Sequence, residues 1–178
     1  ENRYDGLVPL GCKKFLGPKY ALLRPEFREA RKTLRKSDEH VKRIMIFFGG
    51  SDSTNETTKA LEAIRKLNRI DIIVDVVVGV LNTHRKVIEK MTSDMSYCTC
   101  HFNVEDMAAL MIKADLTVGA GGITIWERCA LALPSVIITV AENQTKTVSD
   151  MAESGYLLFL GRSEAVSVDS LYHALEIA

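Results

Sequence analysis

Ile72-Ile-Val-Asp-Val-Val-Val78 is the stretch that decides the fold. A strand with one wet face alternates apolar and polar residues, whereas a strand covered on both faces reads as a nearly continuous, β-branched apolar run. Ser135-Val-Ile-Ile-Thr-Val140 reads the same way. Working outward from these two runs, strands are expected at about 43–48, 72–79, 97–101, 115–118, 135–140 and 156–160. Around them the 3.6-residue period predicts helices at about 22–35, 55–68, 83–93, 104–113, 123–132, 144–154 and 168–177. Strand and helix alternate, with no low-complexity segment and no repeat beyond the βα unit. The expected fold class is α/β: a Rossmann-like three-layer α/β/α domain with a six-stranded, mostly parallel sheet and right-handed crossovers.

In such a sheet ligands sit beyond the carboxyl ends of the strands, near the switch in strand order. Thr117-Val-Gly-Ala-Gly-Gly-Ile-Thr-Ile-Trp-Glu-Arg-Cys129 carries an apolar strand (Asp115 to Val118) through a glycine-rich turn into a helix opened by Thr124. Gly119, Gly121 and Gly122 let main chain approach a ligand with no Cβ in the way. The unpaired N–H groups at the helix start suit a phosphate. Glu127, about one turn in, offers a carboxylate that accepts two hydrogen bonds from a vicinal diol. Diphosphate and ribose together suggest a nucleotide. The spacing is neither G-x-G-x-x-G nor Walker A, and a tight chain reversal by itself also accounts for such a turn. The same device recurs, however. Ile46-Phe-Phe48 runs into Gly49-Gly50-Ser51-Asp52 and Asn55, and then into a helix with Ala60, Leu61, Ile64 and Leu67 on its apolar face. Two such loops can face one ligand from both sides.

With 178 residues, 47% hydrophobic, the chain can bury one sizeable core. Lys plus Arg and Asp plus Glu both number 23, so no field of one sign recruits nucleic acid or an anionic membrane. Basic residues crowd at Arg24, Arg28, Arg31, Lys32, Arg35, Lys36, Lys42 and Arg43, but Glu26, Glu29, Asp38 and Glu39 interleave with them, as on a solvated helix face. No run of 18 apolar residues and no basic-then-apolar leader is present, so a soluble chain is expected. Glu1 to Phe15 carries no strand and no initiator Met, which suggests a linker over 1–20 from a missing N-terminal domain, with the nucleotide-binding domain over 21–178.

Cys12, Cys98, Cys100 and Cys129 lack paired C-x-x-C spacing. Cys98 and Cys100 share one face of a strand and His101 takes the other, yet a tetrahedral metal site needs about two more ligands. Free thiols in a reducing cytoplasm fit best. Trp126 reads as a core or domain-interface anchor, or else as a stacking platform for a base. Met107, Leu110 and Met111 read as core.

Gly17-Pro-Lys-Tyr-Ala-Leu-Leu-Arg-Pro-Glu-Phe27, Phe48-Gly-Gly-Ser-Asp52, Val77-Val-Gly79, Met107 through Asp115, Gly119-Ala-Gly-Gly122 with Trp126-Glu-Arg-Cys129, and Ala141-Glu-Asn-Gln144 occur in that order. Over about residues 15–162 this pattern resembles the C-terminal half of the UDP-2,4-diacetamido-2,4,6-trideoxy-β-L-altropyranose hydrolase family of pseudaminic acid biosynthesis. The spore coat polysaccharide biosynthesis proteins share it, and the peptidoglycan N-acetylglucosaminyltransferase, of two-domain GT-B architecture, is more distantly similar. The resemblance implies a UDP-sugar substrate, with Gly49, Gly50, Ser51 and Asp52 beside the nucleotide. Gly121, Gly122 and Thr124 would hold the diphosphate, Glu127 the ribose, and Phe102 and Val104 the uracil edge. Asn143 and Gln144 would reach the sugar; as an alternative, Asn143 caps a helix beginning near Gln144.

The family has a hydroxyl residue directly after the double glycine, where this chain has Ile123, so weakened phosphate binding is expected. Its catalytic histidine belongs to an N-terminal segment absent here, and His40, His84, His101 and His173 lie in no matching motif. The catalytic base is therefore unknown and expected in the missing domain, leaving these residues able to bind but not to turn over. No Asp-x-Asp motif occurs, so neither a metal nor another cofactor is expected. A GT-B glycosyltransferase donor half and a non-catalytic sugar-nucleotide module fit the same motifs.

Overall fold

The six apolar runs form β1 (Arg43–Phe47), β2 (Ile73–Val78), β3 (Cys98–Phe102), β4 (Leu116–Ala120), β5 (Ser135–Thr139) and β6 (Leu158–Arg162). They alternate with α1 (Pro25–Arg31), α2 (Glu56–Leu67), α3 (Arg85–Ser93), α4 (Met107–Met111), α5 (Thr124–Ala130), α6 (Glu142–Glu153) and α7 (Val168–Glu176). A computed structural model describes residues 4–34 and 40–177. All strands pair parallel in the order β3-β2-β1-β4-β5-β6, which is the doubly wound Rossmann order.

The near-continuous strands are explained by two cores. Ile44, Ile46, Val74, Val76, Val118 and Ile138 project to one face, where Leu61, Ile64, Ile88 and Leu171 of α2, α3 and α7 cover them. Met45 and Val77 project to the other, beneath Phe27, Met107 and Met111 of α1 and α4. Farther along that layer Ile137 meets Ile125 and Val148 of α5 and α6. Each such side chain contributes about 1.5–3 kcal/mol by leaving water. Trp126 is half-buried against this last cluster, in the anchoring role expected of it.

Element ends shift for local reasons. The helix expected over 22–35 starts at Pro25, because proline holds Arg24 extended (ψ 149°). The one expected over 104–113 shortens to Met107–Met111, where the Asp106 carboxylate accepts from Ala109 N at 2.9 Å and fixes its start. α6 starts at Glu142, two residues early, so Asn143 lies in its first turn and does not cap it. The basic face expected near the start is solvated at Arg28, Arg31, Lys32 and Lys42, with two of its members engaged elsewhere. Arg24, itself still exposed, and the half-buried Arg43 pair with the buried carboxylates of Glu127 and Asp75, while Arg35, Lys36, Asp38 and Glu39 lie outside the described residues, as do residues 1–3 of the expected linker.

Candidate functional site at the carboxyl edge of the sheet

From β1 the chain winds one way to β2 and β3, and from β4 the other way to β5 and β6, so the switch point lies between β1 and β4. The turn after β4 packs beside it on α6, the helix that follows β5. A Cβ on Gly121 would overlap Cγ2 of Val148 and stand 3.4 Å from Cβ of Gln144, so this glycine is the close contact between the turn and α6. Gly122 is open: the nearest atom to its missing Cβ is Nε2 of Gln144 at 3.8 Å. The β1 and β2 loops also touch through main chain. Leu81 N donates to Gly50 O at 3.0 Å, and Gly79 faces the Gly50 backbone so closely that no side chain fits between them.

Glu127 lies one turn into α5 and only 6% of it is exposed. Its Oε1 accepts from Nε and Nη2 of Arg24, both at 3.3 Å, and its Oε2 is buried with no partner. A buried carboxylate oxygen left without a donor is costly, and a ligand hydroxyl would satisfy it. Arg24 in turn pairs with Glu26 at 2.9 Å and lies over the Phe27 ring at 5.1 Å. Arg31 Nη1 donates to Ala130 O at 2.8 Å, so residues 24–31 are fastened along α5.

Other expected site residues have structural partners. Asp52 is buried at φ 44°, and its carboxylate accepts from Glu56 N (2.9 Å) and Thr57 N (3.0 Å), which caps α2. Ser51 and Gly50 are exposed, with Gly49 half-buried at φ 92°. Gln144, expected to reach the sugar, accepts from Val140 N at 3.1 Å through Oε1, and its Nε2 is the atom nearest the open side of Gly122. Asn143 is exposed. Thr124 is the first residue of α5, behind an N-cap at Ile123 that supplies no side-chain acceptor. Phe102 ends β3, two strands from β1, with the Arg85 guanidinium stacked on its ring at 3.9 Å. Val104 packs against the α1/α4 core.

Gly119 departs from its expected role. It sits inside β4, where a Cβ would overlap Phe47 O and the Arg128 guanidinium, so it makes room for Arg128 rather than for a ligand. Arg128, absent from the sequence reading, is fully buried. It donates from Nη1 to Ala120 O (2.9 Å) and from Nη2 to Phe47 O (3.3 Å), bridging the last residues of β4 and β1. Burial pulls its pKa down to about 10, with the neighbouring Glu127 opposing the shift, so it stays charged at neutral pH. Also unread was Asp75, buried in β2 between Arg43 Nη1 (2.6 Å) and His101 Nε2 (2.7 Å). The Cys98 thiol is pushed up to about 11 by burial. Among the described residues there is no cluster of three or more His, Cys, Asp or Glu able to hold a metal, and no helix long and apolar enough to cross a membrane.

No family model matches the chain. The spore coat polysaccharide biosynthesis protein SpsG of Bacillus subtilis is 30% identical over 162 residues, covering 89% of this chain and 47% of SpsG. This chain is its homologue. The UDP-2,4-diacetamido-2,4,6-trideoxy-beta-L-altropyranose hydrolase of Campylobacter jejuni is 25% identical over 154 residues, covering 86% of the chain and 53% of the hydrolase. The chain thus spans about half the length of these two relatives. Among solved structures MurG of Acinetobacter baumannii superimposes with a TM-score of 0.65 at 15% identity, over 96% of this chain and 48% of MurG. Further similar structures are glycosyltransferases, and the shared fold is the GT-B-type Rossmann domain.

Proposed function

We propose that this chain is the nucleotide-binding half of a UDP-sugar hydrolase, one that cleaves UDP from a diacetamido-trideoxy sugar in pseudaminic acid-type (nonulosonate) polysaccharide biosynthesis. The observation that carries the nucleotide reading is Glu127 at the switch point, with Oε1 held by Arg24 and Oε2 buried and unpaired. A ribose diol offers two donors to that carboxylate. The open Gly122 and the close-packed Gly121 then present main-chain amides to a diphosphate, with Thr124 adding a hydroxyl. Gly49, Gly50 and Ser51 flank the nucleotide, Asp52 holding that loop in shape through the cap on α2. Phe102 and Val104 lead into the loop for the uracil edge, while Asn143 and the free Nε2 of Gln144 reach toward the sugar.

The hydrolase reading is supported by the C. jejuni relative, whose name contains both the UDP-sugar and the cleavage. A second reading, the donor half of a GT-B glycosyltransferase, is favoured by the solved structures that share the fold. In either case the base that activates water or acceptor comes from the chain's own N-terminal domain, these residues alone do not turn over, and no metal is required. The setting is the cytoplasm, with neither nucleic acid nor membrane as partner.

The test is calorimetric titration of the chain with UDP, with CMP and ADP as controls. Selective binding of UDP is expected; equal binding of all three, or none, overturns the assignment. A product assay with the whole protein and a UDP-sugar then separates release of free sugar from transfer.

A further inference from the structure

We propose that Arg128 is a buried cation that sets the charge preference of this site, favouring a nucleoside diphosphate over the uncharged nucleoside. The inference rests on the nucleotide reading above and concerns what recognises the phosphates.

The loops at the switch point contain no basic residue. Phe48 to Asn55, Ala120 to Ile123 and Val140 to Gln144 include neither Lys nor Arg. They do include Asp52 and Glu142, the first occupied by two α2 amides and the second paired with Arg162. A diphosphate arriving there meets main-chain dipoles at the surface and, apart from Arg24, which is paired with Glu127 and Glu26, one positive charge below that has no ion-pair partner among the described residues.

That charge is Arg128. A helical side chain leans toward its own N-terminus, which carries this guanidinium from α5 back between the ends of β1 and β4. Its exposure is 1%, its Nη atoms are held by the Phe47 and Ala120 carbonyls, and its Nε has no partner. Among the described residues no carboxylate pairs with it, since Glu127 turns Oε1 to Arg24. Two carbonyls carry only partial charge and Glu127 acts on it only through space, so the buried guanidinium is incompletely compensated and costly. An anion just above the strand ends offsets that cost, and the low dielectric strengthens the attraction. Gly119 is the cradle: its missing Cβ would stand 3.0 Å from Cζ and overlap Nη2. The competing explanation is that Arg128 merely staples the two strands.

Titration of wild type, Arg128→Lys and Arg128→Met with UDP, UMP and uridine, alongside thermal melting, separates the two. Wild type should prefer UDP to UMP to uridine. Arg128→Met should shrink the UDP-over-uridine ratio by about 10-fold or more while uridine affinity stays within about twofold. Arg128→Lys keeps the charge but cannot bridge both carbonyls, so it should melt earlier yet retain most of the ratio. If Arg128→Met does not fold, Arg128→Lys decides. A ratio lost with the charge retained, or unchanged in a folded Arg128→Met, overturns the proposal in favour of the staple. Wild type that binds neither UDP nor uridine overturns the nucleotide reading itself, a distinct outcome.

Discussion

Arg24 and Glu127, 103 positions apart, meet through a single oxygen: both Nε and Nη2 of the arginine reach Oε1 at 3.3 Å, and Oε2 is left unpaired in the interior. The arrangement fixes the carboxylate's orientation before any ligand arrives. Pre-ordering of this kind removes part of the cost of binding.

Replacing Glu127 by Gln keeps the shape and removes the charge. Hydrogen bonds to a charged group are worth roughly 1.5–3 kcal/mol, so UDP should bind about 10- to 100-fold more weakly by calorimetry. An unchanged affinity removes Glu127 from the site.

Arg24→Met should weaken UDP less, by about 3- to 10-fold, because the arginine is itself half exposed and acts only by holding Glu127. In a double-mutant cycle with Glu127→Gln the two losses should not add. Additive losses would mean that Arg24 acts on the ligand independently.

Two glycines three positions apart, Gly119 within β4 and Gly122 in the turn after it, should behave oppositely. Gly119→Ala drives a methyl into Phe47 O and Arg128, and a clash against backbone costs about 1–3 kcal/mol or more, read as a lower melting temperature. Gly122→Ala meets only Gln144 Nε2 at 3.8 Å, so melting should be unchanged while UDP binding falls. A Gly122→Ala variant with full affinity would place the phosphates elsewhere.

Cysteine reactivity should separate by burial. With its thiol near 11, Cys98 holds only about one thiolate in a thousand at pH 8, while Cys12 is exposed. Burial also raises Cys100 and Cys129. Iodoacetamide at pH 8 followed by peptide mass spectrometry should label Cys12 first, and Cys98 should become reactive only as pH approaches its raised value. Early labelling of Cys98 would contradict its burial.

The fold was legible because its signal is local and redundant. Runs such as Ile72–Val78 announce a strand covered twice, and α2 shows its period in Ala60, Leu61 and Ile64. The place of Glu127, one turn into α5, was legible from its spacing after the glycines. Arg128 was not, because its partners are carbonyls on β1 and β4, 81 and 8 residues away, and carbonyls leave no mark in a sequence. Gly119 was misread for the same reason: a glycine needed by a side chain looks like one needed by a ligand. Asp75 did carry a usable sign. A lone acid within a twice-covered strand demands a buried partner, and His101, on the face opposite Cys98 and Cys100, was the residue able to supply one.

The contact between Gly79 and Gly50 bears on how such a domain diversifies. Where two loops lie backbone to backbone, a side chain added at Gly79 pushes them apart, whereas one added at Gly50 meets open space. The wall formed by the β1 and β2 loops is therefore closed to gradual change at Gly79, its β2 side. Room for change lies also on the opposite bank, where Asn143 projects exposed while Gln144 is tied to Val140.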